Sequence, residues 1–181
     1  MNPQKIEIVE AKHELKSVVL NLMLYYIHDF TEFLGFRCPD NGLYRTDCFE
    51  QYWNPPKGWA FVIKVEGELA GFVLVEGHGT QPETQFSIGE FFIMRKFRGK
   101  GVGQRVAHSI FDRFHGRWEA DVVIENKPAL AFWRKVTDRY TAGRCVELPE
   151  PVRRGQFTEI VRTFDNVPGP RTMDRIATES G

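Results

Sequence analysis

The sequence predicts an α/β (α+β) fold, a mixed sheet with helices on both faces. Three observations carry the prediction. Apolar residues recur at helical spacing in some stretches and as β-rich runs in others, in the order β-α-α-β-β-β-α-β-α-β. The 181 residues are 42% hydrophobic and 27% charged, enough for one full core and short for two. One hydrophobic strand runs through a glycine-rich turn directly into a helix.

Taken in order, Ile6 to Val9 suits a short edge strand. Leu15, Val18, Val19, Leu22, Met23 and Tyr26 fall on one face of a helix of about four turns. Pro39, Asn41-Gly42 and Pro55-Pro56 break the next stretch, leaving room for a short helix over 46–52. Trp59 to Val65 and Ala70 to Val75 read as strands joined by a hairpin at Glu66-Gly67-Glu68. Phe86 to Met94 reads as a strand with an apolar end, buried on both faces. The helix that follows the glycine turn buries Val102, Val106, Ala107, Ile110, Phe111 and Phe114. Trp118 to Ile124 is a strand, and Pro128 opens a helix with its stripe at Ala129, Phe132, Trp133 and Val136. A last strand, Phe157 to Phe164, completes a single domain over 1–164, and 165–181 reads as a loose polar tail rich in Pro and Gly.

Composition removes several classes. Lys plus Arg and Asp plus Glu both number 24, which disfavours a nucleic-acid binder that works through bulk charge. No apolar run approaches the roughly 18–20 residues of a membrane span. The first residues lack the layout of a secretory signal, so a cytoplasmic location is expected. Cys38, Cys48 and Cys145 form no Cys-x-x-Cys pair and the five histidines show no ligand spacing, so no metal is expected. Charge is nonetheless uneven. Residues 1–94 carry 7 basic and 13 acidic groups, whereas 95–117 carry 7 basic groups against Asp112 alone. That cationic block reads as a local anion site.

The block contains Arg95-Lys96-Phe97-Arg98-Gly99-Lys100-Gly101-Val102-Gly103. Free N–H groups at a helix start, approached through glycines, make a cradle for phosphate. A Walker loop fails here, because Met94 stands where its first Gly belongs and Gly101 follows Lys100. A dinucleotide fingerprint fails in both registers, at Gln104 and at Val106. Arg98-x-x-Gly101-x-Gly103 after a hydrophobic strand instead resembles the coenzyme A pyrophosphate loop of the GNAT superfamily of N-acetyltransferases, Gln/Arg-x-x-Gly-x-Gly/Ala. Asn126 at the next strand end, followed by a helix carrying aromatic residues, extends the resemblance over 58–140.

The resemblance implies a mostly antiparallel twisted sheet of about six to seven strands with about four helices. It also implies acetyl-CoA as co-substrate and an amine on a small molecule or peptide as acceptor, and it admits a homodimer. Main-chain groups of Phe92, Ile93 and Met94 would pair with the pantetheine arm. The N–H groups from Gly99 to Gly103, with Val102 among them, would hold the pyrophosphate beside Arg98 and Lys100. Asn126 and the helix side bearing Trp133 would flank the thiol.

Transfer to an amine needs a base, and Glu90, a lone carboxylate in an apolar strand, is the candidate. Many relatives carry a Tyr where Trp133 stands, and an indole supplies no proton at neutral pH. Tyr140 is an alternative phenol, and the acid stays unassigned. Tyr26, Asp29 and Tyr52 are the candidate acceptor-binding residues, since carboxylates and rings suit a cationic amine. Two rival readings remain: a catalytically silent acyl-CoA-binding module, and a protein-directed acetyltransferase.

Overall fold

The computed structural model describes residues 4–167. Strand β1 (Ile6–Glu10) leads into helix α1 (His13–Leu34). A 3₁₀ turn over Asp47–Trp53 precedes β2 (Gly58–Val65), β3 (Glu68–Glu76) and β4 (Phe86–Ile93). Then follow α2 (Val102–Phe111), β5 (Arg117–Val123), α3 (Lys127–Thr141), β6 (Val146–Glu147), β7 (Val152–Arg154) and β8 (Phe157–Asp165). The eight strands form one sheet in the order β1-β2-β3-β4-β5-β8-β6, with β7 also on β8. Every pairing is antiparallel except β4 with β5. The expected mixed sheet is therefore present.

Two cores explain why both faces are covered. Val106, Ile110 and Phe111 of α2 and Trp133 and Val136 of α3 meet Val73, Val75, Ile88, Trp118 and Phe164 on one face. On the other, Val19, Leu22 and Met23 of α1 meet Val62, Phe72, Leu74 and Phe92. Alternating residues of β3 thus feed both cores, as a strand's period of two requires. The β2–β3 turn has positive φ at Glu66 (51°) and Gly67 (78°), the conformation of a two-residue hairpin with the strands' own twist.

Several boundaries differ from the sequence reading. Helix α1 runs on to Leu34, 22 residues in all, and ends at Gly35 in the left-handed conformation. Helix α2 stops at Phe111, so Phe114 lies beyond it, yet its ring still packs 4.8 Å from Trp59 and 5.2 Å from Phe86. Strands β6 and β7 were not expected, because two and three residues cannot display an alternation. The last strand reaches Asp165, and the Asn166 amide donates to Phe111 O (2.6 Å) and Phe114 O (3.0 Å). The expected tail from 168 onward lies outside the described residues. Among the described residues no helix is long and apolar enough to cross a membrane.

Candidate active site

The parallel pairing of β4 with β5 covers only Phe86–Trp118 and Ser87–Glu119. Beyond Ser87 the two strands have no register with each other, and β4 keeps one unpaired edge. Which main-chain groups face that edge follows from the antiparallel alternation. Met94 N–H donates to Ala70 O at 2.8 Å, and Met94 O accepts from Phe97 N at 2.9 Å. Phe92 O sits against Gly71, where a Cβ would stand 1.9 Å away. Phe92 and Met94 therefore spend their main-chain groups on β3 and the following turn, contrary to expectation. Phe91 and Ile93 are the residues turned toward the split, and of the expected trio only Ile93 addresses that edge, its carbonyl already accepting from Arg98 Nε.

The glycine turn sits at the end of that edge. Gly99 (φ 73°) and Gly101 (φ 76°) adopt the left-handed region that other residues enter at a cost. Gly101 caps α2 without any side-chain hydrogen bond, leaving the first N–H groups of the helix open. A Cβ on Gly103 would lie 3.1 Å from the Phe132 ring, so this glycine lets α2 approach α3 closely. Val102 is fully buried and contributes only main chain, and Lys100 is exposed at the turn.

Most of the cationic block serves to tie the fold rather than to hold an anion. Arg98 Nε donates to Ile93 O at 2.6 Å, and its guanidinium meets Asp29 at 2.7 Å. Arg95 also pairs with Asp29 (2.7 Å), and Lys96 with Glu68 (2.5 Å). Arg105 donates to Gln4 O (2.5 Å) and Arg113 to Ile8 O (2.7 Å), both on or before β1. Asp29 is thus tied to the glycine turn by both arginines, and it lines the groove between α1, β4, α2 and α3. Burial pushes its carboxyl up, but the hydrogen bonds from Arg98 and Arg95 outweigh burial and hold it below the ordinary range.

Across the split, Asn126 caps α3 by accepting from Ala129 N–H at 3.1 Å. Between α1, β4, α2 and α3 lies a groove of about 450 Å³, lined by Tyr26, Phe91, Ile93, Gly101, Asn126 and Phe132 among others. Trp133 is not on it. Its ring is buried, 5.1 Å from Phe91 and 6.4 Å from Phe111, and Phe132 faces the groove instead. Tyr140 is likewise elsewhere, packed 5.0 Å from Phe111 with its hydroxyl donating to Asp112 at 2.8 Å.

The Tyr26 end of the groove meets a group of carboxylates on the α1 face of the sheet. Tyr26 packs 5.8 Å from Phe72 and 6.0 Å from Phe92, with its hydroxyl beside Glu90. Burial pushes Glu90 up to about 7; the Tyr26 hydroxyl and Arg154 oppose this, while Glu76 and Asp121 add to it. Tyr52 is buried and donates to Glu76 at 2.8 Å, crossing β4 at Gly89, where a Cβ would stand 2.3 Å from its hydroxyl. Arg154 bridges Glu76 (2.6 Å) and Asp121 (3.0 Å). Burial, then Glu159, push Asp121 up to about 7 against the pull of Arg154. Glu119 on the same strand face is satisfied structurally, accepting from Thr80 N–H (2.7 Å), Gln81 N–H (2.9 Å) and the Thr84 hydroxyl. Glu76, Asp121, Arg154 and Glu159 were missed from sequence. The available signal was Glu119-x-Asp121, two acids on one face of an otherwise apolar strand.

A sheet split beside a glycine-capped helix, with a carboxylate at the far end, defines an acetyltransferase type of α/β fold. Residues 23–137 match the acetyltransferase (GNAT) family model, and the chain belongs to that family. Among curated proteins no sequence matches the chain. In fold it is similar to a Corynebacterium glutamicum protein, histone acetyltransferase HPA2 and related acetyltransferase (TM-score 0.65, 15% identity, 91% of this chain and 99% of that one). A Thermus thermophilus acetyltransferase gives a TM-score of 0.62 at 15% identity, covering 89% and 97%. The Vibrio cholerae spermidine N-acetyltransferase, in complex with CoA and spermine, gives 0.60 at 11% identity, covering 88% and 95%.

Proposed function

We propose that this chain moves an acetyl group from acetyl-CoA to a primary amine of a small molecule or peptide by direct attack on the thioester. The observation that carries the reading is the unpaired edge of β4, with the glycine-capped helix at one end and Glu90 at the other. The residues present fit coenzyme A. Open N–H groups over 99–103 suit a pyrophosphate, and the outward main-chain groups of Phe91 with the Ile93 N–H suit an amide-bearing arm laid along the strand, the Ile93 carbonyl being taken by Arg98. Asn126 and Phe132 flank that arm.

Acetyl-CoA supplies the acyl group and a thiolate leaving group. Glu90, held near neutrality by burial, takes the proton of the substrate ammonium directly or through water. Tyr26 is the phenol on the groove, and burial followed by Glu90 keeps its hydroxyl protonated. It would donate to the departing thiolate and be reprotonated by the adjacent Glu90, while the second proton of the attacking nitrogen leaves to water as the amide forms, which closes the proton cycle. Buried Trp133, standing where many relatives have Tyr, favours a second reading: a silent acyl-CoA-binding module.

Thermal unfolding with acetyl-CoA, and with acetate and ATP as controls, is the test. Near 100 times Kd the fold gains about 2.7 kcal/mol. A shift with acetyl-CoA alone, followed by turnover in an amine panel, supports the transferase. A shift without turnover of any amine supports the silent module, and no shift removes both.

A further inference from the structure

The carboxylate group beyond Glu90 is larger than proton transfer requires. Glu76, Glu90, Asp121 and Glu159 come from four different strands, and Arg154 is the cation that couples to all of them. Asp121 has a side chain only 5% exposed, and its Oδ1 has no hydrogen-bond partner among the described residues. Glu159 is 9% exposed, and its Oε2 is unpartnered in the same way. Buried carboxylate oxygens without donors are costly, and each calls for a partner. The β5–β8 pairing puts the two on one face of neighbouring strands, and Glu159 is the largest charge influence on Asp121. No three His, Cys, Asp or Glu among the described residues have the geometry to hold a metal ion. An organic ammonium, which donates in several directions, would supply both oxygens.

Arg154 shows how such a cation is held. It comes from β7, three residues long, and its side chain is 38% exposed, so solvent reaches it. Its guanidinium occupies the space between Glu76 and Asp121 as a ligand cation would. Resting on the amine-acetyltransferase reading, we propose that the acceptor is a small-molecule diamine. One amine faces Glu90 for transfer, and the second ammonium displaces Arg154 to bind Asp121 and Glu159. The exchange swaps one cation for another and gives the orphaned oxygens the donors they lack.

Calorimetry of the full-length protein with linear alkyl diamines and matched alkyl monoamines tests this without requiring turnover. The diamine is expected to bind about tenfold or more tightly than its monoamine, and to weaken as salt is raised. Asp121→Asn should erase most of the preference, and Arg154→Gln, which removes the competing cation, should increase it. If either variant fails to fold, the wild-type diamine-to-monoamine ratio still decides. Equal binding of the two amines overturns the proposal whatever the enzyme acetylates. Selective diamine binding without any acetylation leaves the cation site standing and brings down the transferase reading alone.

Discussion

The two ends of the groove are built from different materials. At the glycine turn, binding capacity comes from main-chain N–H groups over five consecutive residues, 99–103, and most neighbouring charges are already paired. At the Glu90 end it comes from side chains on β3, β4, β5, β7 and β8, with one guanidinium bridging two of the four carboxylates. A main-chain cradle tolerates side-chain change and depends on conformation. A side-chain cluster depends on each group and on pH. The contrast predicts that substitutions at the two ends will differ in kind as well as in size.

The largest effect should come from Glu90→Gln. General-base assistance is worth on the order of a hundred- to a thousandfold. The wild-type kcat/KM should rise through pH about 7, where Glu90 ionises, and the variant should lose that limb and recover in part at higher pH. An unchanged pH–rate profile would remove Glu90 as the base. Tyr26→Phe should lower kcat by about a hundredfold with little change in acetyl-CoA binding. A variant that instead weakens binding and spares kcat would make Tyr26 a groove wall.

The glycine end should answer through conformation. Gly101→Ala places a side chain at φ 76°, a strain of about 1–2 kcal/mol. The loop that relieves it misaligns the N–H groups, so stabilisation by acetyl-CoA should shrink while the pH profile stays put. Asn126→Ala removes the α3 cap at about 1 kcal/mol, read as a melting temperature about 2–4 °C lower. A separate effect concerns pH and stability. Asp121 is raised from 3.8 to about 7 on folding, so the native state binds more protons than the unfolded one across that window. Stability from this group therefore falls as pH rises from about 4 to about 7, and Asp121→Asn should flatten that slope in pH-dependent melting.

What could be read beforehand divides along the same line. Arg98, Gly101 and Gly103 are contiguous, and their chemistry is a property of local backbone, so the sequence exposes it. Glu90 was visible as a charge inside an apolar run. Arg154 and Glu159 were not, because β7 is too short to carry a pattern and only the β5–β8 pairing brings Glu159 beside Asp121. Finer errors have simple geometric causes. Phe132 and Trp133 share one helical stripe, and a turn of about 100° decides which faces the groove. Phe91 and Phe92 differ only in which neighbour their main chain addresses, and that depends on register with β3 rather than on residue type.

The arginines tied to β1 have a consequence for the assembly of many copies. Ala11 N–H donates to Ala60 O and Glu66 N–H to Lys5 O, so odd-numbered residues of this segment bond β2 and even-numbered ones face outward. Gln4 O and Ile8 O are outward carbonyls, and Arg105 and Arg113 occupy them. A foreign strand seeking to extend the sheet there would have to evict two guanidinium groups before making its first ladder bond. At the opposite border β6 offers only two residues. The sheet is thereby guarded at both margins against the edge-to-edge growth that leads to fibres.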